Sequence, residues 1–201
     1  MDTNKILVTY ATNAGTTAEV AQAVGEELSK ITHLQVDVKV IDEVETIEPY
    51  SAAVIGAPMI FGWHRGARKF LKKHQDSLSK IPTAYFVTAM NLTKTDETSL
   101  DGIPLSVDPV VAKPVKREGH LSFKERYSLP SNYLRPILKS APKVKPVAVG
   151  FFGGKLAMYK MKWWQVLFVL IFIQTQQGGS HNMPFIREWA AGLADPITAG
   201  T

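Results

Sequence analysis

Leu7-Val8-Thr9-Tyr10-Ala11-Thr12-Asn13-Ala14-Gly15-Thr16-Thr17-Ala18-Glu19-Val20-Ala21 runs from an apolar, β-branched stretch through a loop of small and hydroxyl-bearing residues into a helical pattern. A helix leaves its first backbone N–H groups without intrahelical partners. Their dipoles favour an anion by about 0.3–1 kcal/mol, and by more where water is excluded. At the carboxyl end of a parallel strand, those groups meet a phosphate closely only if the side chains between are small. Gly15 and the two alanines leave that room, while Thr12, Asn13, Thr16 and Thr17 add side-chain donors. The loop carries no lysine, so the Gly-Lys-Ser/Thr triplet that holds a triphosphate and magnesium is missing. This layout fits a phosphomonoester rather than a nucleoside triphosphate. It equally fits a plain strand, turn and helix whose threonines serve only as caps.

Outward from this segment, strand-like runs recur at Lys5–Tyr10, Gln35–Val40, Ala52–Ala57, Thr83–Ala89 and Pro146–Phe152, each rich in β-branched or aromatic residues. Helical patterns fall between them. Ala21, Val24 and Leu28 share one face of a helix expected over Thr16–Ile31. A second helix is expected over Arg65–Leu78, with Ala67, Phe70 and Leu71 inward and Lys69, Lys72 and Lys73 toward water. Alternating β and α units imply a parallel sheet covered on both sides. Val36, Val38 and Val40 alternate with polar residues, as an edge strand would, whereas the first, third and fifth runs are nearly continuous in apolar residues. The expected fold class is thus α/β, a doubly wound five-stranded parallel sheet in the order 2-1-3-4-5. Its ligand belongs at the carboxyl ends of strands one and three.

At 201 residues and 45% hydrophobic composition, residues 1–201 are expected to form a single domain. Two stretches exceed a minimal unit. Residues 93–130 carry prolines, charges and little periodicity, and are expected to be a long insertion with mobile parts; residues 153–181 form an extra apolar segment around Trp163–Ile173, too short in its apolar core to span a bilayer. A last helix is expected from Asn182 or Met183, with Pro184 in its first turn. The chain has no cysteine, which excludes disulfides, iron–sulfur clusters and thiolate metal sites and fits a reducing cytoplasm. The five histidines lack metal-ligand spacing, so no metal is expected and each is read as a surface or loop residue. Met1 through Lys5 lead straight into a strand, without the pattern of a secretory signal.

The opening segment resembles the signature of flavodoxins, an aromatic after the strand followed by a hydroxyl, a glycine, a threonine and a helical alanine. Tyr10, Thr12, Gly15, Thr17, Ala21 and Val24 hold those places, and Thr9 departs from the usual apolar residue. The resemblance implies FMN, with its phosphate on Tyr10, Thr12, Asn13, Ala14, Gly15, Thr16 and Thr17. The loops after strands three and four would then flank the ring. Pro58, Met59, Ile60, Phe61, Gly62 and Trp63 offer apolar and aromatic surface, while Thr88, Ala89, Met90, Asn91 and Leu92 offer small and amide-bearing groups. Phe61 and Trp63 also fit simple core packing. Only His64 and Arg65 could bring a cation close, and a cation-poor wall disfavours negative charge on the ring and keeps its potential low.

Further along, Ala84–Leu92, Tyr133-Leu134 ahead of a helix, Pro146–Leu156 and Gln177-Gly178-Gly179 resemble menaquinone-dependent protoporphyrinogen dehydrogenases. These are flavodoxin-fold enzymes that aromatise a porphyrinogen and pass electrons to quinone. The resemblance implies an FMN-dependent oxidoreductase with the chemistry assigned to the flavin. A flavodoxin-type electron carrier docking to a redox protein, or a module that keeps the fold without flavin, are the competing expectations.

Charge is unevenly spread. Residues 1–112 hold 10 basic against 14 acidic side chains, while residues 113–162 hold 12 against 2. Ahead of the Trp163-Trp164 run, this basic middle suits peripheral contact with an anionic membrane at the cytoplasmic face. The apolar run suits equally a face of the sheet or an interface between copies of the chain. No recognition module for a specific nucleic acid is present.

Overall fold

The computed structural model describes residues 5–12, 16–59, 62–117, 119–154 and 181–199. The β-branched runs form β1 (Lys5–Tyr10), β2 (Gln35–Val40), β3 (Ala52–Pro58) and β4 (Thr83–Ala89). They are followed by β5 (Leu92–Thr93), β6 (Ser99–Leu100), β7 (Ile103–Val107), β8 (Ala112–Lys113) and β9 (Val149–Gly153). The helices are α1 (Thr16–Thr32), α2 (Arg65–Leu78), α3 (Phe123–Tyr127), α4 (Pro130–Ser140), α5 (Met183–Gly192) and α6 (Ala194–Thr198). Asn182 caps α5 by accepting the Phe185 N–H, and Pro184 sits in its first turn, where no amide donor is needed. Tyr133 and Leu134, expected just ahead of a helix, lie within α4.

Strands β2, β1, β3, β4 and β9 are parallel neighbours in that order, which is the doubly wound 2-1-3-4-5 arrangement with β2 at the edge. Alternate residues feed two cores. Leu7, Ile55, Tyr85, Val87 and Phe151 lie under α2 and α4 on one face, and Ile6, Val8, Val54, Phe86 and Phe152 lie under α1, α5 and α6 on the other. Close packing on the second face depends on two glycines. A Cβ on Gly56 would fall 1.8 Å from the Phe86 ring, and one on Gly150 would fall 2.4 Å from Phe152 and 2.9 Å from Trp189.

The insertion departs from expectation. Within residues 93–130, Ile103, Leu105 and Val107 alternate with Pro104 and Ser106, and this short period-two stretch adds β7 parallel to β9. Strand β6 then pairs antiparallel with β7, making a seven-stranded sheet. Strands β5 and β8 pair separately and carry α3, because Thr93 donates its hydroxyl to the Glu125 carbonyl and its N–H to the Ser128 carbonyl. Glu125 closes the Ser122 capping box. The Ser122 hydroxyl and the Lys116 and Ser122 N–H groups hold its carboxyl at about 2. The apolar run Trp163–Ile173 lies outside the described residues.

His74 corrects the expectation that all five histidines are surface or loop residues, since it sits within α2, whereas His181 lies outside any helix or strand. His74 is buried on α2 with its ring 4.7 Å from Phe70, one turn away, and His181 is buried against the end of β9. Thr9 is buried with no hydrogen-bond partner for its hydroxyl. Leaving such a group dry and unpaired costs about 1–3 kcal/mol, so Thr9→Val is expected to raise stability. A gain of about 1 kcal/mol would move the thermal midpoint up by about 2–4 °C, measurable by circular dichroism.

Candidate functional site

Because β2 and β3 pair with opposite edges of β1, the connections leaving β1 and β3 part company at their carboxyl ends and open a crevice. The sheet pairing continues one residue past β1, through the Ala11 N–H to the Gly56 carbonyl at 2.9 Å. Helix α1 begins at Thr16, so its open N–H groups lie at this rim. Tyr10 is half-buried and packs on the α1-side core, and Thr12 and Thr16 are half-buried at either end of the link. Asn13, Ala14 and Gly15 lie outside the described residues.

Thr17 lies in the first turn of α1. It is buried, and its hydroxyl is 3.1 Å from that of Thr88 on β4. This pair ties the first turn of α1 across the crevice to the loop after β4. The same β4 residue accepts the Met59 N–H through its carbonyl at 2.9 Å, so Thr88 joins all three loops.

The loop after β3 doubles back on itself. Met59 bridges Trp63, and the His64 N–H donates to the Pro58 carbonyl at 3.1 Å. Gly62, near the tip, has φ +106°, with nothing within 4 Å of a hypothetical Cβ, so the backbone rather than crowding requires glycine here. Ile60 and Phe61 lie outside the described residues. Trp63 packs into the core, one of the two readings its sequence position allowed. It is only 3% exposed, donates its indole N–H to the Ala57 carbonyl at 3.1 Å and lies 6.0 Å from the Tyr85 ring, bracing the loop from behind. Its large apolar surface is better buried than spread on the rim.

The wall is poorer in cations than the sequence suggests. His64 accepts the Gly66 N–H on Nδ1, capping α2, and burial pushes its imidazole below the ordinary value against a smaller pull from Asp42. After β4, Met90 and Asn91 are half-buried at the rim, whereas Ala89 and Leu92 are buried. The Leu92 N–H donates to the Val111 carbonyl at 2.8 Å, so the insertion anchors this loop from outside.

Sequence reasoning missed a third boundary. The Gly154 N–H donates to the Ala89 carbonyl at 3.0 Å, and His181 places Nδ1 2.7 Å from the Gly153 carbonyl and Nε2 3.2 Å from the Glu19 carboxylate on α1. Asn182, next in the chain, donates to the buried Asp108 at 3.0 Å. Twenty-eight residues separate His181 from Gly153, so no local spacing reveals the contact. The position just before a helix cap was the one available signal. Among the described residues, no group of three or more His, Cys, Asp or Glu side chains could hold a metal ion.

The threonine pair makes a direct test. Thr17→Val or Thr88→Val alone strands a buried hydroxyl and is expected to cost about 1–3 kcal/mol, whereas the double variant recovers much of that loss. Denaturant unfolding of the four proteins measures the coupling, and additive losses would contradict it.

Comparison with known proteins agrees with this geometry. A protoporphyrinogen IX dehydrogenase [quinone] of Escherichia coli strain K12 is 26% identical over 178 residues, covering 87% of this chain and 81% of that protein. The same values hold for the protein of that name in Escherichia coli O157:H7. A solved flavodoxin from the domain Archaea superposes with a TM-score of 0.52 at 11% identity, covering 96% of this chain and 98% of that one, a likeness of fold alone. The family model described as the flavodoxin domain matches residues 7–182, and the chain belongs to that family.

Proposed function

We propose that the chain binds FMN at the crevice between β1 and β3 and acts as an oxidoreductase that takes electrons from a porphyrinogen and passes them to a quinone. The observation that carries this reading is the convergence of three loops on one crevice, through Thr17, Thr88 and Met59, beside the open N–H groups of α1. The residues present fit the cofactor. Thr12, Thr16 and the first turn of α1 would hold its phosphate, and Gly62 with Pro58, Met90 and Asn91 would flank its ring. Bound FMN would supply the electron transfer itself. The chain's part is to orient and to exclude water. Trp63 and Leu92 pack the loops from behind, and burial disfavours the charged form of His64. The similarity to quinone-linked dehydrogenases supports the choice of substrate class.

Purified protein is expected to bind added FMN with quenching of flavin fluorescence, and Gly15→Val to abolish it. Failure of the wild type to bind FMN would refute the cofactor and the enzyme together. Quinone-coupled oxidation of a porphyrinogen by the FMN-loaded protein would support the enzyme. Binding without that activity would favour a carrier docking to a redox protein.

We infer that an anionic membrane meets the insertion. Phe123 is 87% exposed and Tyr127 51% exposed on the same short helix, and Lys113, Lys116, Arg117, Lys124 and Arg126 around them are exposed. Aromatic side chains suit the headgroup level, and each cation there contributes about 1 kcal/mol before screening. No helix among the described residues is long and apolar enough to cross a membrane. Sedimentation with vesicles containing phosphatidylglycerol is expected, with less for Phe123→Ala. Equal, negligible binding to anionic and neutral vesicles would overturn the inference.

A further inference from the structure

We propose that His181 is a positioning residue for the phosphate of the bound flavin, acting through Glu19 and α1. This rests on the FMN reading above and names a residue that the family signature in the opening segment does not contain. The His181 side chain is 3% exposed and is fixed from two sides. Its Nδ1 is 2.7 Å from the Gly153 carbonyl, which can only accept, so that nitrogen carries hydrogen. Its Nε2 is 3.2 Å from Oε2 of Glu19, within ion-pair distance. Both partners are acceptors, so hydrogen on each ring nitrogen would serve both.

The next residue holds the histidine in place. The Asn182 side chain caps α5 through the Phe185 N–H and donates to Asp108, which is fully buried at the end of β7. Farther along α5, Arg187 pairs with Glu26 at 2.8 Å and Glu27 at 3.3 Å on α1. Helix α1 is therefore tied at its middle by Arg187 and near its start by His181.

Glu19 explains why a cation belongs there. It lies in the first turn of α1, where a carboxylate favours the helix dipole but repels a phosphate dianion seated on the same turn. With hydrogen on both ring nitrogens, His181 would offset that repulsion, and its two contacts fix the start of the helix against β9. The effect belongs to the phosphate and not to the ring system.

Titration of flavin fluorescence with FMN and with riboflavin, which lacks the phosphate, separates the two. His181→Asn keeps a donor for the Gly153 carbonyl and removes the cation. It is expected to weaken FMN binding by about tenfold, while riboflavin affinity stays within about twofold. Adding Glu19→Gln, at an exposed position, is expected to restore much of the FMN affinity. Equal weakening of both ligands would show a structural role only and overturn the proposal, as would unchanged FMN binding or no recovery in the double variant. Failure of the wild type to bind either flavin would overturn the FMN reading itself, and this inference with it.

Discussion

Burial of the sheet on both faces obliges each strand to send alternate side chains into two separate cores, while its backbone hydrogen bonds stay within the sheet. In β1, Ile6 and Val8 serve one core and Leu7 the other; in β4 the division falls between Phe86 and the pair Tyr85 and Val87. Every helix must then lie on one side or the other, and the side changes at β1, where β2 and β3 depart in opposite directions. The crevice follows from that reversal. The loops around it can be polar and glycine-containing because the layers behind them already hold the strands in register.

This division also explains which parts were legible in the sequence. Strands with long apolar runs, such as Thr83–Ala89, and a strongly amphipathic helix, such as Arg65–Leu78, coincide with the observed elements. Their burial pattern is written in consecutive residues. Strand β7 was hidden because its three alternating apolar residues stand among prolines and charges, and a five-residue period-two signal does not rise above such a background. The two cradle threonines show the limits at the site. Thr16 and Thr17 look alike in sequence, yet Thr17 is buried against Thr88, and only long-range pairing separates their roles. The contacts of His181 and Trp63 were hidden for the same reason, since one finds its partners at Gly153 and Glu19 and the other fills space beneath its own loop.

Charge is organised in layers of different depth. The acidic Glu26 and Glu27 on α1 are matched by Arg187, and burial disfavours the charged form of His64. The excess of basic residues is displaced into the insertion and beyond. Its α3 is held by Glu125, whose carboxylate is committed to the Ser122 capping box and the Lys116 N–H. A basic, aromatic surface thus stands on the insertion, outside the crevice. The two surfaces belong to one structure because Thr93 joins α3 to β5.

The extra strand β7 has a consequence for the order in which the fold can be completed. It precedes β9 in the chain by more than forty residues but lies outside it in the sheet, so β9 must enter a slot between β4 and β7. A chain synthesised only as far as α4 has β4 and β7 waiting with unpaired edges. Insertion of Val149–Gly153 closes both at once, through Tyr85↔Val149 on one side and Leu105↔Val149 on the other. Because the Gly153 carbonyl then receives His181, docking of α5 waits on the same event. The sheet and the crevice are therefore finished by later parts of the chain, through contacts of high sequence separation that form slowly.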